Sequence, residues 1–202
     1  MMVNKNFKGE IFPEFNKNNA VFINNLLKKI EEIYNVIGNN DLQLVKLKDL
    51  YKPTAKGLEA NKSFFEYYYN TKASKQRISN TEIEGLYIFF NTDRKPIYTG
   101  ISRGIIRRLR NHGWGGTSGT STLAYLMAKD KNTSLTALGF NNNEGEIKEK
   151  YLKIVQNLFV YIYPFQGSEN IDNEGHEYFS LQVLEVMVSV RLQCYWNSFK
   201  TH

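Results

Sequence analysis

Glu185 is the residue whose surroundings most strongly suggest chemistry. The positions around it, 181 to 190 (LQVLEVMVSV), are mostly aliphatic, which predicts a helix that is apolar nearly all round and buried. A carboxylate in such a place is costly unless it is paired, hydrogen-bonded or bound to a metal ion. Two interpretations follow. Glu185 either forms a structural salt bridge with Arg107, Arg108 or Arg110, or it binds a divalent cation.

Two tyrosines, Tyr87 and Tyr98, stand eleven residues apart in segments that predict paired strands. Residues 85–90 (GLYIFF) are aromatic and β-branched, residues 91–96 (NTDRKP) have turn-forming types, and residues 97–101 (IYTGI) resume the strand pattern. On such a hairpin the two tyrosines can share one face, depending on register. The chain has 13 tyrosines, so packing alone would explain either one. Only the basic residues nearby make the two tyrosines candidates for a functional site.

A short basic helix is predicted directly after the hairpin, over residues 103–112. Helical spacing places Arg108 and His112 on one face, one turn apart, and the other arginines elsewhere. A basic helix is most often a solvated face, but one beside a hairpin and a Gly/Ser/Thr-rich loop also suits a phosphate site. The candidate nucleic-acid contacts are Arg103, Arg107, Arg110 and, at the end of that loop, Ser121.

Taken together, these residues resemble the GIY-YIG nuclease family. Gly85-Leu86-Tyr87 is similar to the first family motif and Tyr98-Thr99-Gly100 to the second, with mild departures at Leu86 and Thr99. The family carries an essential arginine, and in many members a histidine, in the helix that follows the motifs. Arg108 and His112 occupy those places.

The resemblance continues into the last part of the chain. Family members have a glutamate in an apolar helix after the third strand and an asparagine near the end of the domain. Glu185 and Asn197, twelve residues apart, match in type, order and spacing. The resemblance covers about residues 84 to 199, and six positions match in the right order of elements.

The resemblance implies a role for each matched position. Phosphodiester hydrolysis would use one divalent metal with Glu185 as its protein ligand. Mg²⁺ fits because it keeps several waters, and Mn²⁺ is a substitute. Tyr87 would orient or deprotonate the attacking water, and Arg108 would favour its phenolate and clamp the phosphate. Tyr98 and His112 would position the water or the phosphate, and either could share the role of the base. Asn197 would give structural support.

The elements that would position these residues form an α+β fold. The resemblance implies a small three-stranded antiparallel sheet flanked by helices, and the pattern predicts its third strand over residues 157–165. Glu185 would lie on a helix over residues 174–194. In the Gly/Ser/Thr-rich loop, Ser121 or Thr122 could cap a further helix.

The predicted organisation has two parts. Residues 1–80 form a mainly helical N-terminal extension, with helices over 16–37 and 57–69 and an exposed linker over 70–80. This extension would serve in DNA recognition or dimerisation. Residues 81–202 form the GIY-YIG-like nuclease domain, with an inserted loop and helix region at about 113–150.

Composition narrows the class of protein. The 202 residues are 42% hydrophobic and 23% charged, which allows a packed core, and the formal charge of +6 suits a partner that carries phosphates. The single cysteine, Cys194, excludes an internal disulfide. No segment resembles a signal peptide or reaches the roughly 20 apolar residues that span a membrane. We expect a cytoplasmic protein with no membrane partner.

The expected function is Mg²⁺-dependent endonucleolytic cleavage of double-stranded DNA, in type II restriction or in phage defence. We expect no C-terminal recognition domain after Asn197. Specificity would then come from residues 1–80, from the loop at 113–145, or from a homodimer that cuts both strands of a palindrome. Three alternatives stay open: a structure-selective or repair nuclease acting on RNA or branched DNA, a non-catalytic DNA-binding member of the same fold, and a basic α+β interaction domain.

Overall fold

The computed structural model describes residues 17–39, 42–69, 74–77, 80–165 and 176–197. Along the first part of the chain the elements are α1 (Lys17–Gly38), β1 (Val45–Lys46), a 3-10 turn (Leu47–Leu50), β2 (Tyr51–Thr54), β3 (Gly57–Ala60), α2 (Lys62–Tyr69), β4 (Ser74–Arg77) and β5 (Asn80–Ile83). They continue as β6 (Gly85–Phe90), β7 (Pro96–Ser102), α3 (Ile105–Trp114), α4 (Thr122–Lys131), α5 (Ala137–Asn141), a 3-10 turn (Glu144–Glu146), α6 (Ile147–Gln156), β8 (Phe159–Pro164) and α7 (His176–Arg191).

The central sheet is antiparallel and has the strand order β1-β8-β6-β7. The predicted hairpin and third strand are confirmed as β6, β7 and β8. The predicted count of three strands is wrong, because β1 pairs with β8 through Val45 opposite Val160 and adds a fourth strand. A strand of two residues is too short to show a period in the sequence. The other strands form the separate hairpins β2–β3 and β4–β5.

Successive side chains of β6 point to opposite faces of this sheet, and each face is covered by a hydrophobic core. Tyr87 and Phe89 pack into a core with buried residues of α3, α4 and α6. Leu86, Ile88 and Phe90 pack into a second core with α1 and α7. The central strand β6 is buried at every position, and it contributes side chains to both cores.

The segment before residue 80 contributes to the first of these cores. Leu47, Leu50 and Phe65 are almost completely buried there, in the same cluster as residues of α3. The Tyr51 hydroxyl donates a hydrogen bond to the carbonyl oxygen of Ile106 in α3. This part of the N-terminal segment and the hairpin–helix unit after it therefore share one core.

Several predicted elements differ from the structure. The first helix is confirmed as α1, apart from position 16, which lies outside the described residues. The predicted helix over 57–69 begins only at Lys62, because Gly57, at φ 113°, follows a tight turn and opens β3. Within the predicted linker, Ser74–Arg77 forms β4 and pairs with β5, whereas positions 70–73 and 78–79 lie outside the described residues.

The helix that carries Glu185 is confirmed as α7, with positions 174 and 175 outside the described residues. The prediction that it is buried all round is wrong. Leu184 and Val188 are buried, but Val186 is 43% exposed and Val190 is 66% exposed. The aliphatic residues around Glu185 therefore include a solvent-facing side. None of the helices in the described ranges is long and apolar enough to cross a membrane.

Candidate active site

The register of β6 and β7 places Tyr87 and Tyr98 on the same face of the sheet. Tyr87 is opposite Gly100 and Phe89 is opposite Tyr98. The two tyrosine rings stack at a centroid distance of 6.3 Å with an interplanar angle of 30°. A Cβ atom at Gly100 would lie 2.3 Å from the Tyr87 hydroxyl oxygen. The glycine of the second motif is therefore required for the Tyr87 side chain to lie across β7.

Helix α3 brings Arg108 and His112 to the Tyr87 hydroxyl. The hydroxyl oxygen lies 2.9 Å from Nε2 of His112 and accepts a hydrogen bond from Nε of Arg108 at 3.3 Å. The His112 ring is fully buried and packs edge-on against the rings of Tyr87, Phe89 and Tyr98. The one-turn spacing of Arg108 and His112 thus delivers both side chains to one oxygen atom.

Burial decides the protonation states of this cluster. Burial raises the pKa of the Tyr87 phenol well above 10, and Tyr98 adds to the rise while Arg108 opposes it. Arg108 acts in the expected direction, which favours the phenolate, but desolvation outweighs this single cation and the pKa of Tyr87 stays raised. Burial also lowers the pKa of His112 well below 6.5, with Arg108 acting in the same direction. Tyr87 and His112 are both neutral near pH 7.

One nitrogen of His112 has no hydrogen-bond partner. Its Nδ1 atom is buried and unsatisfied within the described part of the chain. The other ring nitrogen, Nε2, is hydrogen-bonded to the Tyr87 hydroxyl. An unsatisfied buried nitrogen is uncommon in folded proteins, and a catalytic role is one explanation for it.

Glu185 approaches this cluster from α7. Burial raises the pKa of its carboxyl to about 7, and Arg108 acts in the opposite direction. The charge of Glu185 in turn raises the pKa of Tyr87, so these three side chains belong to one electrostatic site. Among the described residues, no salt bridge joins Glu185 to Arg107, Arg108 or Arg110. The structural salt bridge is therefore not formed there.

The donor set at Glu185 fits a cation that binds few protein ligands. No group of three or more His, Cys, Asp or Glu side chains is placed to hold a metal ion within the described ranges. A half-buried carboxylate that has no salt-bridge partner there is still suited to Mg²⁺, which keeps most of its waters. A zinc-type site would need three or four protein ligands.

Asn197 lies at the free edge of the sheet rather than at the Tyr87 hydroxyl. Its side-chain oxygen accepts hydrogen bonds from the backbone nitrogen and the hydroxyl of Thr99, at 3.4 and 3.3 Å. Its side-chain nitrogen donates to the Cys194 carbonyl oxygen at 2.9 Å. Asn197 is 3% exposed. It therefore covers backbone groups of β7 next to Tyr98, which fits structural support.

The four candidate nucleic-acid contacts differ in accessibility. Arg103, Arg107 and Arg110 are exposed, and the Arg103 guanidinium lies 3.7 Å from the Glu84 carboxylate. Ser121 is completely buried, and its hydroxyl hydrogen-bonds the carbonyl oxygens of Asn111 and Gly115. A direct contact between Ser121 and nucleic acid does not fit this geometry, and its side chain makes no capping hydrogen bond to α4.

Sequence reasoning missed several residues next to the site. Thr122 accepts a hydrogen bond from the Arg108 guanidinium at 3.1 Å. Glu82 and Glu84 are buried carboxylates, and Glu82 accepts a hydrogen bond from the backbone nitrogen of Arg107 in the first turn of α3. The sequence did contain a signal for the glutamates, because they stand at alternate positions directly before an apolar strand. Thr122 was a candidate cap for the next helix, but nothing in the sequence pattern pointed to its contact with Arg108.

Comparison with known proteins agrees with this geometry. Residues 83–158, a little over a third of the chain, match the family model of the GIY-YIG catalytic domain. The match includes Tyr87, Tyr98, Arg108 and His112 and ends before α7. No curated protein and no solved structure matched the chain. Residues 83–158 are therefore similar to a GIY-YIG catalytic domain, and this similarity indicates a nuclease-type function.

Proposed function

We propose that the protein is a Mg²⁺-dependent endonuclease that hydrolyses phosphodiester bonds in DNA. The observation that carries the proposal is the shared site of four groups. The Tyr87 hydroxyl contacts both His112 and Arg108, and the Glu185 carboxyl lies in the same electrostatic environment. Metal-assisted phosphodiester hydrolysis needs groups that move a proton, a cation that stabilises negative charge and a carboxylate that holds the metal ion. The four side chains are of these types.

Tyr87 and His112 would handle the proton of the attacking water. With His112 neutral, Nε2 can accept the Tyr87 hydroxyl hydrogen across 2.9 Å. The Tyr87 oxygen then has lone pairs for the Arg108 N–H and for the water. As the water attacks phosphorus, its proton passes to the Tyr87 oxygen and the Tyr87 proton passes to Nε2. Tyr98, stacked on Tyr87, would hold this geometry.

Arg108 and Glu185 would handle the charge of the phosphate. Both side chains are half-buried, whereas Tyr87 is 1% exposed, so they are the members of the site that would meet the phosphate. The Arg108 guanidinium would stabilise negative charge on the phosphate in the transition state. Glu185 would hold Mg²⁺, or Mn²⁺ as a substitute, which when bound neutralises charge developing on the phosphate and the leaving oxygen.

The proposal extends to the substrate and the biological role. The exposed Arg103, just before α3, and Arg107 and Arg110, within it, suit backbone contacts to double-stranded DNA, as does the net charge of +6. Within nuclease roles we favour restriction or phage defence in the cytoplasm, with a homodimer cutting both strands.

Cleavage assays with a matched pair of glutamate variants test the proposed function. Wild type, Glu185→Gln and Glu59→Gln are incubated with double-stranded genomic DNA, single-stranded DNA and RNA, each with Mg²⁺ or with EDTA. Glu59 is exposed on β3, so it controls for the loss of one carboxylate. We expect wild type and Glu59→Gln to cut double-stranded DNA in Mg²⁺ alone. Glu185→Gln should fold and bind DNA, even more tightly than wild type, without cutting it.

Each alternative predicts a different outcome. Cleavage in EDTA, or normal cleavage by Glu185→Gln, would exclude the metal role of this carboxylate. Cutting confined to RNA or branched DNA would point to a structure-selective nuclease. Binding without any cutting by wild type would indicate a non-catalytic member of the fold. Random nicking by a protein that is monomeric in gel filtration would count against a restriction role.

A further inference from the structure

We infer that residues 115–122, called here the arginine clamp, position Arg108 for catalysis, with Thr122 as the principal positioning residue. The inference rests on the proposed function, since it assigns to Arg108 a part in phosphodiester hydrolysis. It gives the Gly/Ser/Thr-rich segment a task that differs from binding phosphate.

The clamp holds the guanidinium at both terminal nitrogens. One of them donates to the carbonyl oxygens of Gly119 and Thr120, at 3.3 and 3.2 Å, and the other donates to the Thr122 hydroxyl at 3.1 Å. A guanidinium is planar and rigid, so fixing its two terminal nitrogens also fixes the direction of its Nε–H bond. That bond points to the Tyr87 hydroxyl. The clamp therefore sets the alignment of Arg108 with the proposed proton relay.

The clamp is held in shape by its own side chains. The backbone nitrogens of Thr117 and Thr120 each donate to the hydroxyl of the other residue, at 3.0 and 3.2 Å. The buried Ser121 hydroxyl bonds the carbonyl oxygens of Asn111 and Gly115, which ties the clamp to the last turn of α3. A Cβ atom at Gly115 would lie 2.4 Å from the Asn111 carbonyl oxygen, so the close approach requires glycine there.

The region after α4 braces the clamp from outside. The side-chain oxygen of Asn141 accepts a hydrogen bond from the backbone nitrogen of Ser118 at 2.6 Å. The Lys148 ammonium donates to the carbonyl oxygens of Asn141 and Gly116, at 2.8 and 3.4 Å. A continuous set of hydrogen bonds thus runs from α6 through Asn141 to the clamp and on to Arg108.

The same contacts argue against the clamp as a phosphate cradle. A cradle directs free backbone N–H groups at the anion. Here the N–H groups of Thr117, Ser118 and Thr120 are bonded to side-chain oxygens within the protein. The groups that face the active site are carbonyl oxygens, which repel phosphate and attract a guanidinium.

Substitution of Thr122 tests the inference. Thr122→Val keeps the shape of the side chain but removes the acceptor for Arg108. We expect the single-turnover cleavage rate constant to fall by about tenfold to a hundredfold, the effect of losing one hydrogen bond to a charged group. DNA affinity should change by less than about twofold, since transition-state alignment is lost rather than binding. Thr122→Ser, which retains the hydroxyl, should restore the rate, and Thr133→Val, at an exposed threonine, should match wild type.

A double-mutant cycle separates positioning from general destabilisation. If Thr122 acts through Arg108, Thr122→Val should have a much smaller effect on the rate in an Arg108→Lys background. An equal loss in both backgrounds, or a wild-type rate for Thr122→Val, would overturn the inference. If Thr122→Val does not fold by circular dichroism, Thr122→Ala takes its place. The proposed function fails separately, if wild type does not cleave DNA in Mg²⁺, and cleavage by Arg108→Ala at the wild-type rate would overturn the inference alone.

Discussion

The segment that matches the family model, residues 83–158, and the segments on either side of it contribute different things to the site. The matched segment supplies the hydrogen-bonded cluster of Tyr87, Arg108 and His112, together with the stacked Tyr98. The flanking segments, 42–69 and 176–197, supply the carboxylate of Glu185, the strand-edge contact of Asn197 and a large part of the core around α3.

This difference shows where local and long-range structure matter. The cluster in the matched segment comes from a hairpin and the helix directly after it, so close sequence neighbours assemble it. The contacts of the flanks cross longer stretches of chain, 55 residues between Tyr51 and Ile106 and 98 residues between Thr99 and Asn197. The structural unit that supports the site therefore extends well beyond the matched residues.

The largest expected effect comes from removing the N-terminal flank. A fragment of residues 80–202 should not fold, because the loss of the Leu47, Leu50 and Phe65 side chains would leave three large gaps in the core. Losing a buried leucine side chain alone costs about 2–5 kcal/mol, and a whole domain is stable by only about 5–15 kcal/mol. Circular dichroism and limited proteolysis of the fragment measure this.

Point variants provide the matched control for the truncation. Leu47→Ala in the full chain should lower the free energy of unfolding by about 2–5 kcal/mol. Leu138→Ala, at a leucine that is 68% exposed, should change it by less than about 0.5 kcal/mol. A folded fragment of residues 80–202 that cleaves DNA would instead support the predicted domain boundary near residue 80.

The next effect tests the matched segment directly. Tyr87→Phe removes the hydroxyl that contacts His112 and Arg108 but keeps the ring in the core. Since proton transfer by a positioned group contributes about 10²–10⁴-fold, cleavage should slow by about a hundredfold or more. Tyr125→Phe, on α4 and packed against Phe140, should cleave normally. Quenched-flow or gel assays under single turnover measure both rates, and similar rates for both variants would remove Tyr87 from the mechanism.

The sequence predicted the parts of the site that depend on local rules. Turn-forming residues gave the β6–β7 hairpin, and helical spacing gave the shared face of Arg108 and His112. It did not predict the neutral state of Tyr87, because burial and not the nearby cation dominates its pKa. It did not predict the hydrogen bond from Arg108 to Thr122 either, because that contact depends on how the loop folds back over α3.

Long-range pairing explains the remaining differences between the predicted and observed folds. β1 is two residues long and exists because β8 offers a free edge, so the sequence around Val45 carries no strand signal of its own. The strand β4 lies in a polar, basic segment that local composition favours as a loop. In both places a partner strand decides the structure, which periodicity does not reveal.

A smaller effect is expected from Asn197 in the C-terminal flank. Asn197→Ala should lower the free energy of unfolding by about 1–3 kcal/mol, because the buried Thr99 N–H and hydroxyl lose their acceptor. Cleavage should fall only modestly, since Asn197 supports β7 without contacting Tyr87. Urea unfolding measures the change, with the exposed Asn142→Ala as control. A complete loss of cleavage at unchanged stability would instead assign Asn197 a direct catalytic part.

The last effect is a gain in stability from the variant that should lose activity. The pKa of Glu185 is about 7 in the folded protein, above its usual value of 4.5, so the folded state prefers the protonated form. Ionisation of Glu185 therefore lowers stability as pH rises from about 4.5 to about 7, and this destabilisation is complete above pH 7. Glu185→Gln cannot ionise. In EDTA its melting temperature should exceed that of wild type at pH 8 and should approach it at pH 5.

Added Mg²⁺ turns this stability difference into a test of the metal site. A cation that binds the Glu185 carboxylate only in the folded state stabilises wild type, and the gain grows with the logarithm of the cation concentration above the dissociation constant. The advantage of Glu185→Gln at pH 8 should then shrink in Mg²⁺, whereas Glu59→Gln should follow wild type under every condition. If Glu185→Gln melts below wild type at pH 8 in EDTA, the carboxylate is stabilised by the protein itself. The flank would then contribute a structural group in place of a metal ligand.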